Sequence, residues 1–148
     1  MPPRKPMKDE PCPVARSVDL IGDRWSLLIV RDAFDGMRRF SDFQRSLGVA
    51  RNILSDRLRK LLDAGVLEMR AASDGTAYQE YVLTARGESL FPVVVALRQW
   101  GEQYLFERDE RHSVLLDKNT GKPIPQMTPR ATDGSVLLPA STVVRKLP

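Results

Sequence analysis

Apolar residues along the first two thirds of the chain recur at helical spacing, and nearly every run is closed by a glycine. From Cys12, the residues Val14, Val18, Leu20 and Ile21 make a first stripe, which Gly22 stops. Asp23 then stands where a helix cap belongs, ahead of the strongly apolar segment from Trp25 to Phe34, which Asp35-Gly36 ends. This second helix is expected at the centre of the core. Ser41, with Gln44 three residues on, has the spacing of a capping box and predicts a short third helix that stops at Gly48. A fourth helix is expected from about Ala50 to Ala64, with Gly65 as its C-terminal signal.

Beyond Gly65 the period changes. Residues 66–70 and 78–83 read as short strands, and Asp74-Gly75 between them supports a hairpin. Thr84 can cap a fifth helix that continues through Leu90, Val94, Leu97 and Trp100 to about Arg108, with Pro92 as the point of a kink or an offset start. Residues 1–11, rich in proline and charge, are expected to form a flexible arm. From His112 onward, turn residues such as Gly121-Lys122-Pro123 and Asp133-Gly134 alternate with short apolar pieces. They predict a small β-rich extension of two hairpins, against the alternative of a mostly disordered tail. The expected fold class is mainly α with a small β-hairpin. Its parts are an arm at 1–11, a domain at 12–108 and an extension at 109–148.

The order helix, short helix, turn, helix, hairpin, long helix is that of a winged helix-turn-helix. Such a fold places one helix in the major groove of double-stranded DNA, about 12 Å wide, and lets the hairpin reach the neighbouring backbone. The fourth helix has the residues for that task. At 100° per residue, Leu54, Leu58, Leu61 and Leu62 fall on one face, and Asn52, Ser55, Asp56 and Arg59 on the broad opposite side. Arg51 stands at its N-terminal end. Arginine and asparagine are suited to paired hydrogen bonds with guanine and adenine edges. A carboxylate beside phosphates is unfavourable, so Asp56 must accept from a cytosine amino group or pair with an arginine such as Arg59 or Arg51. The competing reading is a polar face that only meets solvent.

Charge bears on that choice. The whole chain of 148 residues carries 23 Lys+Arg against 19 Asp+Glu, a net +4 and only a mild lean towards polyanions. Between Arg38 and Lys60, however, seven basic residues face two acidic ones, for a local +5. The expected base-reading residues are Arg51, Asn52, Ser55 and Arg59, with Asp56 on the same face. Ser41 is placed at the same surface. Arg38, Arg39, Arg57 and Lys60, with Arg70, Ser73 and Thr76 of the hairpin, are expected at phosphates. Arg57 lies near the core edge, where it can instead tie helices together.

Other chemistry is sparsely supplied. One cysteine excludes an internal disulfide framework, and one cysteine with one histidine makes a poor side-chain metal site. His112 sits in a charged run and reads as a surface side chain. There is no glycine-rich phosphate loop and no G-x-S-x-G elbow, so no cofactor and no enzyme activity are expected. A thiol-dependent enzyme built on Cys12 would lack a nearby general base. No apolar run is long enough to span a bilayer, and the basic N-terminus has no apolar segment behind it. A cytoplasmic protein without membrane contact is the expectation.

Several stretches together resemble the HxlR-type transcriptional regulators, relatives of the MarR and ArsR groups. They are Cys12-Pro13-Val14, then Leu20-Ile21-Gly22-Asp23-Arg24-Trp25-Ser26, the Arg39-Phe40-x-x-Phe43 element, Leu54-x-x-Arg57-Leu58, Tyr81-Val82-Leu83-Thr84-Ala85-Arg86-Gly87, and Trp100-Gly101. The resemblance spans roughly residues 12–105. It implies a homodimer, more often a repressor, whose first and last helices pack across a two-fold axis. The recognition helices then meet successive major grooves, about 34–36 Å apart, on a near-palindromic operator. Val14, Val18, Val94, Leu97, Trp100 and Leu105 are the interface residues it suggests. Several members use a cysteine at the Cys12 position to sense electrophiles or oxidants. Arg16, one turn on, and the helix start would favour its thiolate. The alternative for Cys12 is a packed, inert thiol. A small-molecule effector of unidentified chemistry is the other partner the resemblance allows. The basic extension could meet DNA, pair with the partner subunit or shape an effector pocket.

Overall fold

The computed structural model describes residues 7–148, so residues 1–6 of the expected arm lie outside the described residues. The chain divides into two compact units, residues up to Phe91 and Pro92–Pro148.

In the first unit, helix α1 spans Pro13–Ile21. Cys12 is its cap: the backbone is extended there and Sγ accepts from the Ala15 N–H at 3.4 Å. Asp23 caps α2, Arg24–Phe34, by accepting from the Ser26 N–H at 3.0 Å. Helix α2 packs against the elements that follow it, and its Ile29 and Val30 are fully buried.

The short helix α3 covers Phe40–Leu47, and its start differs from the expected Ser41–Gln44 box. Arg39 is the extended residue, which puts Asp42 at the third helical position; the Asp42 carboxylate accepts from the Arg39 N–H at 3.4 Å. Ser41 therefore lies inside the first turn. Gly48 ends α3 at φ +62°, a left-handed conformation open to glycine, and its N–H returns to the Gln44 carbonyl at 2.8 Å. Three residues later α4 begins, Arg51–Asp63. Leu54, Leu58 and Leu61 are buried as the spacing predicts, with Leu62 half-buried at the edge of the same face.

Strands β1, Leu67–Ala71, and β2, Gln79–Leu83, pair antiparallel from Leu67 opposite Leu83 to Ala71 opposite Gln79. The hairpin base is fixed to the helices at two points. Phe43 of α3 meets the Tyr81 ring edge-on at 6.4 Å. The Tyr81 N–H donates to the Arg38 carbonyl at 2.7 Å, which ties the segment before α3 to β2 at that point.

The expected long fifth helix is broken. Thr84 does cap a helix, accepting from the Gly87 N–H at 3.0 Å, but α5 ends after four residues, Ala85–Glu88. A tight turn follows, and α6 spans Phe91–Tyr104. The cause is Pro92. In a continuous helix its ring would meet the Glu88 carbonyl, whereas at the second position of a new helix its missing N–H leaves no bond unmade. Helix α6 also stops at Tyr104, short of Arg108.

The second unit holds most of α6 and the extension. Two turns carry isolated antiparallel bridges, Leu116 with Pro123 and Arg130 with Val136, in place of longer hairpin strands, and Pro139–Ser141 forms a 3-10 turn. Gln99 of α6 holds the extension on both sides: it donates to the Pro125 carbonyl at 3.0 Å and accepts from the Met127 N–H at 2.9 Å. Arg98 donates to the Ser113 carbonyl at 3.1 Å. His112 is half-buried, against the Phe106 ring and 3.9 Å from Glu102.

Candidate nucleic-acid interface

Helix α4 sorts its polar residues into two sets. Arg51, Asn52, Ser55 and Arg59 are exposed, and none of the four makes a hydrogen bond or ion pair through its side chain among the described residues. Arg51 is steered by its neighbour, since its guanidinium lies 4.9 Å from the Phe40 ring centroid, over the start of α3. The other set turns back on the protein. Arg57 Nε donates to Asp23 Oδ2 at 3.0 Å, and Lys60 Nζ donates to the Asp19 carbonyl at 3.2 Å and reaches Asp23 Oδ1 at 3.5 Å. These two cations tie α4 to the end of α1 and the cap of α2.

Asp56 finds its partner within the same set. Arg57 donates to it at 2.6 Å, whereas Arg59 or Arg51 was the expected partner. Arg57 is held at the helix edge by Asp23, and that leaves its terminal nitrogens within reach of the adjacent carboxylate. The arrangement also sets the ionisation of Asp23. Burial works to raise its pKa, but hydrogen bonds from Ser26 and Arg57 and the nearby Lys60 outweigh it and hold the carboxyl at about 2.

The hairpin is fixed in the same manner. Arg38 Nη1 donates to Glu80 Oε2 at 3.3 Å, and Ser73 donates to Oε1 of that carboxylate through both its N–H and its hydroxyl at 3.2 Å. Glu80 is buried, and the Ser73 N–H and Arg38 hold its pKa below the usual glutamate range. Arg39 pairs with Asp74 at the hairpin tip, reaches Thr76 Oγ1 at 3.4 Å and lies 5.0 Å from the Tyr78 ring centroid. Arg70 is bound to Glu68 along its own strand, at 2.9 Å from Nε. Ser41 is exposed on the first turn of α3.

The structure thus brings Arg38, Arg39, Ser73 and Thr76 into one cluster. It sets Arg51, Asn52, Ser55 and Arg59 apart as an uncommitted face, and it gives Arg57 and Lys60 to helix packing. Asp23, Asp74 and Glu80, which organise these arginines, were not among the residues expected from sequence. Their partners lie 34 to 42 residues away, and no local period marks them. Among the described residues no cluster of His, Cys, Asp or Glu is arranged to hold a metal ion, and no helix is long and apolar enough to cross a membrane. Cys12 is exposed in the single chain.

A short capped helix, a left-handed glycine turn, a second helix with an open polar face and a fixed hairpin define a winged helix-turn-helix protein of the transcriptional regulator class. The HxlR-like helix-turn-helix family matches residues 20–109, and the chain belongs to that family. An HTH-type transcriptional regulator of Mycobacterium tuberculosis is 46% identical over 107 residues, 72% of this chain and 67% of the relative. Among solved structures, PA1607, described as a transcription factor, is similar at 52% identity and TM-score 0.89, over 94% of this chain and 97% of its own. The redox regulator HypR in its reduced form is similar at 30% identity and TM-score 0.57, over 62% of this chain and 92% of its own.

Proposed function

We propose that this transcriptional regulator is a homodimeric repressor that reads a near-palindromic operator with α4. The observation that carries the reading is the division of labour on that helix. Arg57 and Lys60 are satisfied by the protein, while Arg51, Asn52, Ser55 and Arg59 are exposed and make no side-chain hydrogen bond or ion pair among the described residues. Exposed donors on a helix narrow enough for the major groove match base edges, and an ordered hairpin beside them suits the flanking phosphates. Arg38, Arg39, Arg70, Ser73 and Thr76 take the phosphate role, with Ser41 at the same surface. In this reading residues 12–108 form the DNA-binding and dimerisation domain and 109–148 an extension. The protein acts in the cytoplasm by binding, without catalysis.

Dimerisation uses the apolar residues that α1 and α6 leave uncovered. Val14 and Val18 are exposed on α1, and in the second unit Leu97, Trp100 and Leu105 are exposed and Val94 half-buried; each set offers apolar surface for a symmetric contact. Cys12 is the entry point for a thiol-reactive signal. Its Sγ is exposed and accepts from the Ala15 N–H at 3.4 Å at the start of α1, so a reagent can reach it.

Two measurements test the reading. Asn52→Ala and Arg59→Ala should each cost about 1–3 kcal/mol of affinity for the selected operator with a smaller effect on random DNA. Equal loss on both would move the residue to the phosphate set, and no loss on either would leave the face to solvent. Treatment with diamide or a quinone should weaken operator binding of the wild type and spare Cys12→Ser. The same response in both proteins would remove Cys12 as the sensor.

A further inference from the structure

The unit Pro92–Pro148 has too little interior to hold its own shape. Val95 is its one buried side chain among the described residues. Ordering a residue costs on the order of 1–2 kcal/mol in backbone entropy alone, which a single buried valine does not offset. Yet the extension follows a defined path, with two bridged turns and hydrogen bonds to Gln99 and Arg98 of α6. The crystallised relative PA1607 matches 94% of this chain, which takes in most of that path.

The apolar groups that would make a core are present but face outward. Leu97, Trp100 and Tyr104 form one stripe of α6, Trp100 being 57% exposed. In the extension, Leu138 is 64%, Val143 92% and Val144 78% exposed. Summed with the other exposed apolar residues of the unit, the open area is on the order of 1,000 Å². It meets the approximately 800 Å² that each partner gives to a standard interface. Of the basic residues of the extension, Lys118 and Lys122 lie around one turn and Arg130 bonds the Gly134 carbonyl in the other, while Arg145 and Lys146 directly follow Val144. The exposed aliphatic side chains have no complement on a phosphate backbone.

We propose that this unit is a strap between subunits, with α6 and the extension of each chain covering the apolar side chains of the same unit in a second copy. The inference rests on the homodimer reading above and goes beyond it, because it gives the extension a part in holding the dimer. A second copy is the occupant to which the geometry points. The cover has to be present whenever the chain is folded, and only another copy of the chain is always at hand at matched concentration. HypR is matched over 92% of its length but 62% of this chain, so more than a third of this chain has no counterpart there.

The experiment uses the full chain and a variant carrying Leu138→Asp, Val143→Asp and Val144→Asp, all at exposed positions, so that the subunit fold is spared. Sedimentation equilibrium should give a dimer Kd at least about 100-fold weaker for the variant. In the wild type, hydrogen exchange at the Ala131 and Leu137 amides, both bonded within the extension, should quicken on dilution in step with dissociation. The wild-type dilution series needs no substitution and stands if the variant misfolds. A variant that dimerises as tightly as the wild type, or extension amides indifferent to dilution, overturns the strap while leaving the homodimer intact. An unchanged dimer that loses operator affinity would make the extension a DNA contact and also overturns it. A wild type that is monomeric at every concentration would sink the homodimer reading as well.

Discussion

Asp23 offers the sharpest test of how α4 is held. Its side chain, 29% exposed, accepts from the Ser26 N–H and from Arg57 at 3.0 Å each, with Lys60 at 3.5 Å. Its pKa of about 2, against the ordinary 3.8, means that the folded state prefers the carboxylate. At about 1.4 kcal/mol per pH unit the preference is worth roughly 2 kcal/mol before screening, and about 1–2 kcal/mol once solvent access is allowed for. The substitution Asp23→Asn keeps an oxygen for the Ser26 cap and removes only the charge. The variant should therefore be about 1–2 kcal/mol less stable at pH 7, read from urea unfolding at one fixed protein concentration. The pH dependence fixes the cause. A lowered carboxylate pKa gives stability that is full above about pH 4 and is lost as the pH falls towards 2. The two proteins should thus converge across that window. A gap that stays constant from pH 7 to pH 3 would refute the electrostatic argument and assign the cost to shape, and no gap at pH 7 would refute the linkage itself.

Two further outcomes follow from the same contacts. Glu80→Gln should loosen the hairpin tip, because Ser73 and Arg38 lose a charged acceptor, and amide exchange at Ser73 should accelerate; unchanged exchange would show that the turn alone orders the tip. Gly87→Ala should destabilise the first unit by about 2–4 kcal/mol, since an added Cβ would stand 2.1 Å from the Val66 carbonyl oxygen, a backbone atom with nowhere to go. A neutral Gly87→Ala, measured by thermal unfolding, would mean that α5 can shift without cost.

What could be read from the chain before its fold was known was local. Leu54, Leu58 and Leu61 declare the buried face of α4 by their spacing, and Asp74-Gly75 marks the hairpin turn because that pair suits its backbone. The cap of α3 lies two residues before the expected Ser41, because both Ser41–Gln44 and Arg39–Asp42 have the box spacing and only the extended backbone at Arg39 decides between them. The break before α6 is marked by Pro92, which allows a kink or an offset start, and the structure has the offset start at Phe91. The ion pairs of the site were not legible at all. Arg38 with Glu80, Arg39 with Asp74 and Arg57 with Asp23 depend on the hairpin and the helices having already come together, and arginines that later hold a wing look the same in sequence as arginines left free.

That last distinction alters how the charge of this surface should be counted. Arg38, Arg39, Arg57 and Lys60 each rest on a carboxylate of their own chain, so they carry built-in counterions. A polyanion gives up its condensed cations in proportion to the phosphates a protein neutralises, roughly 0.9 per contact on B-form DNA. Cations already balanced by Asp23, Asp74 and Glu80 contribute little to that exchange unless the pairs open. The surface should therefore be less sensitive to salt than its local +5 suggests, with Arg38 and Arg39 joining the exchange only where a phosphate displaces Glu80 or Asp74.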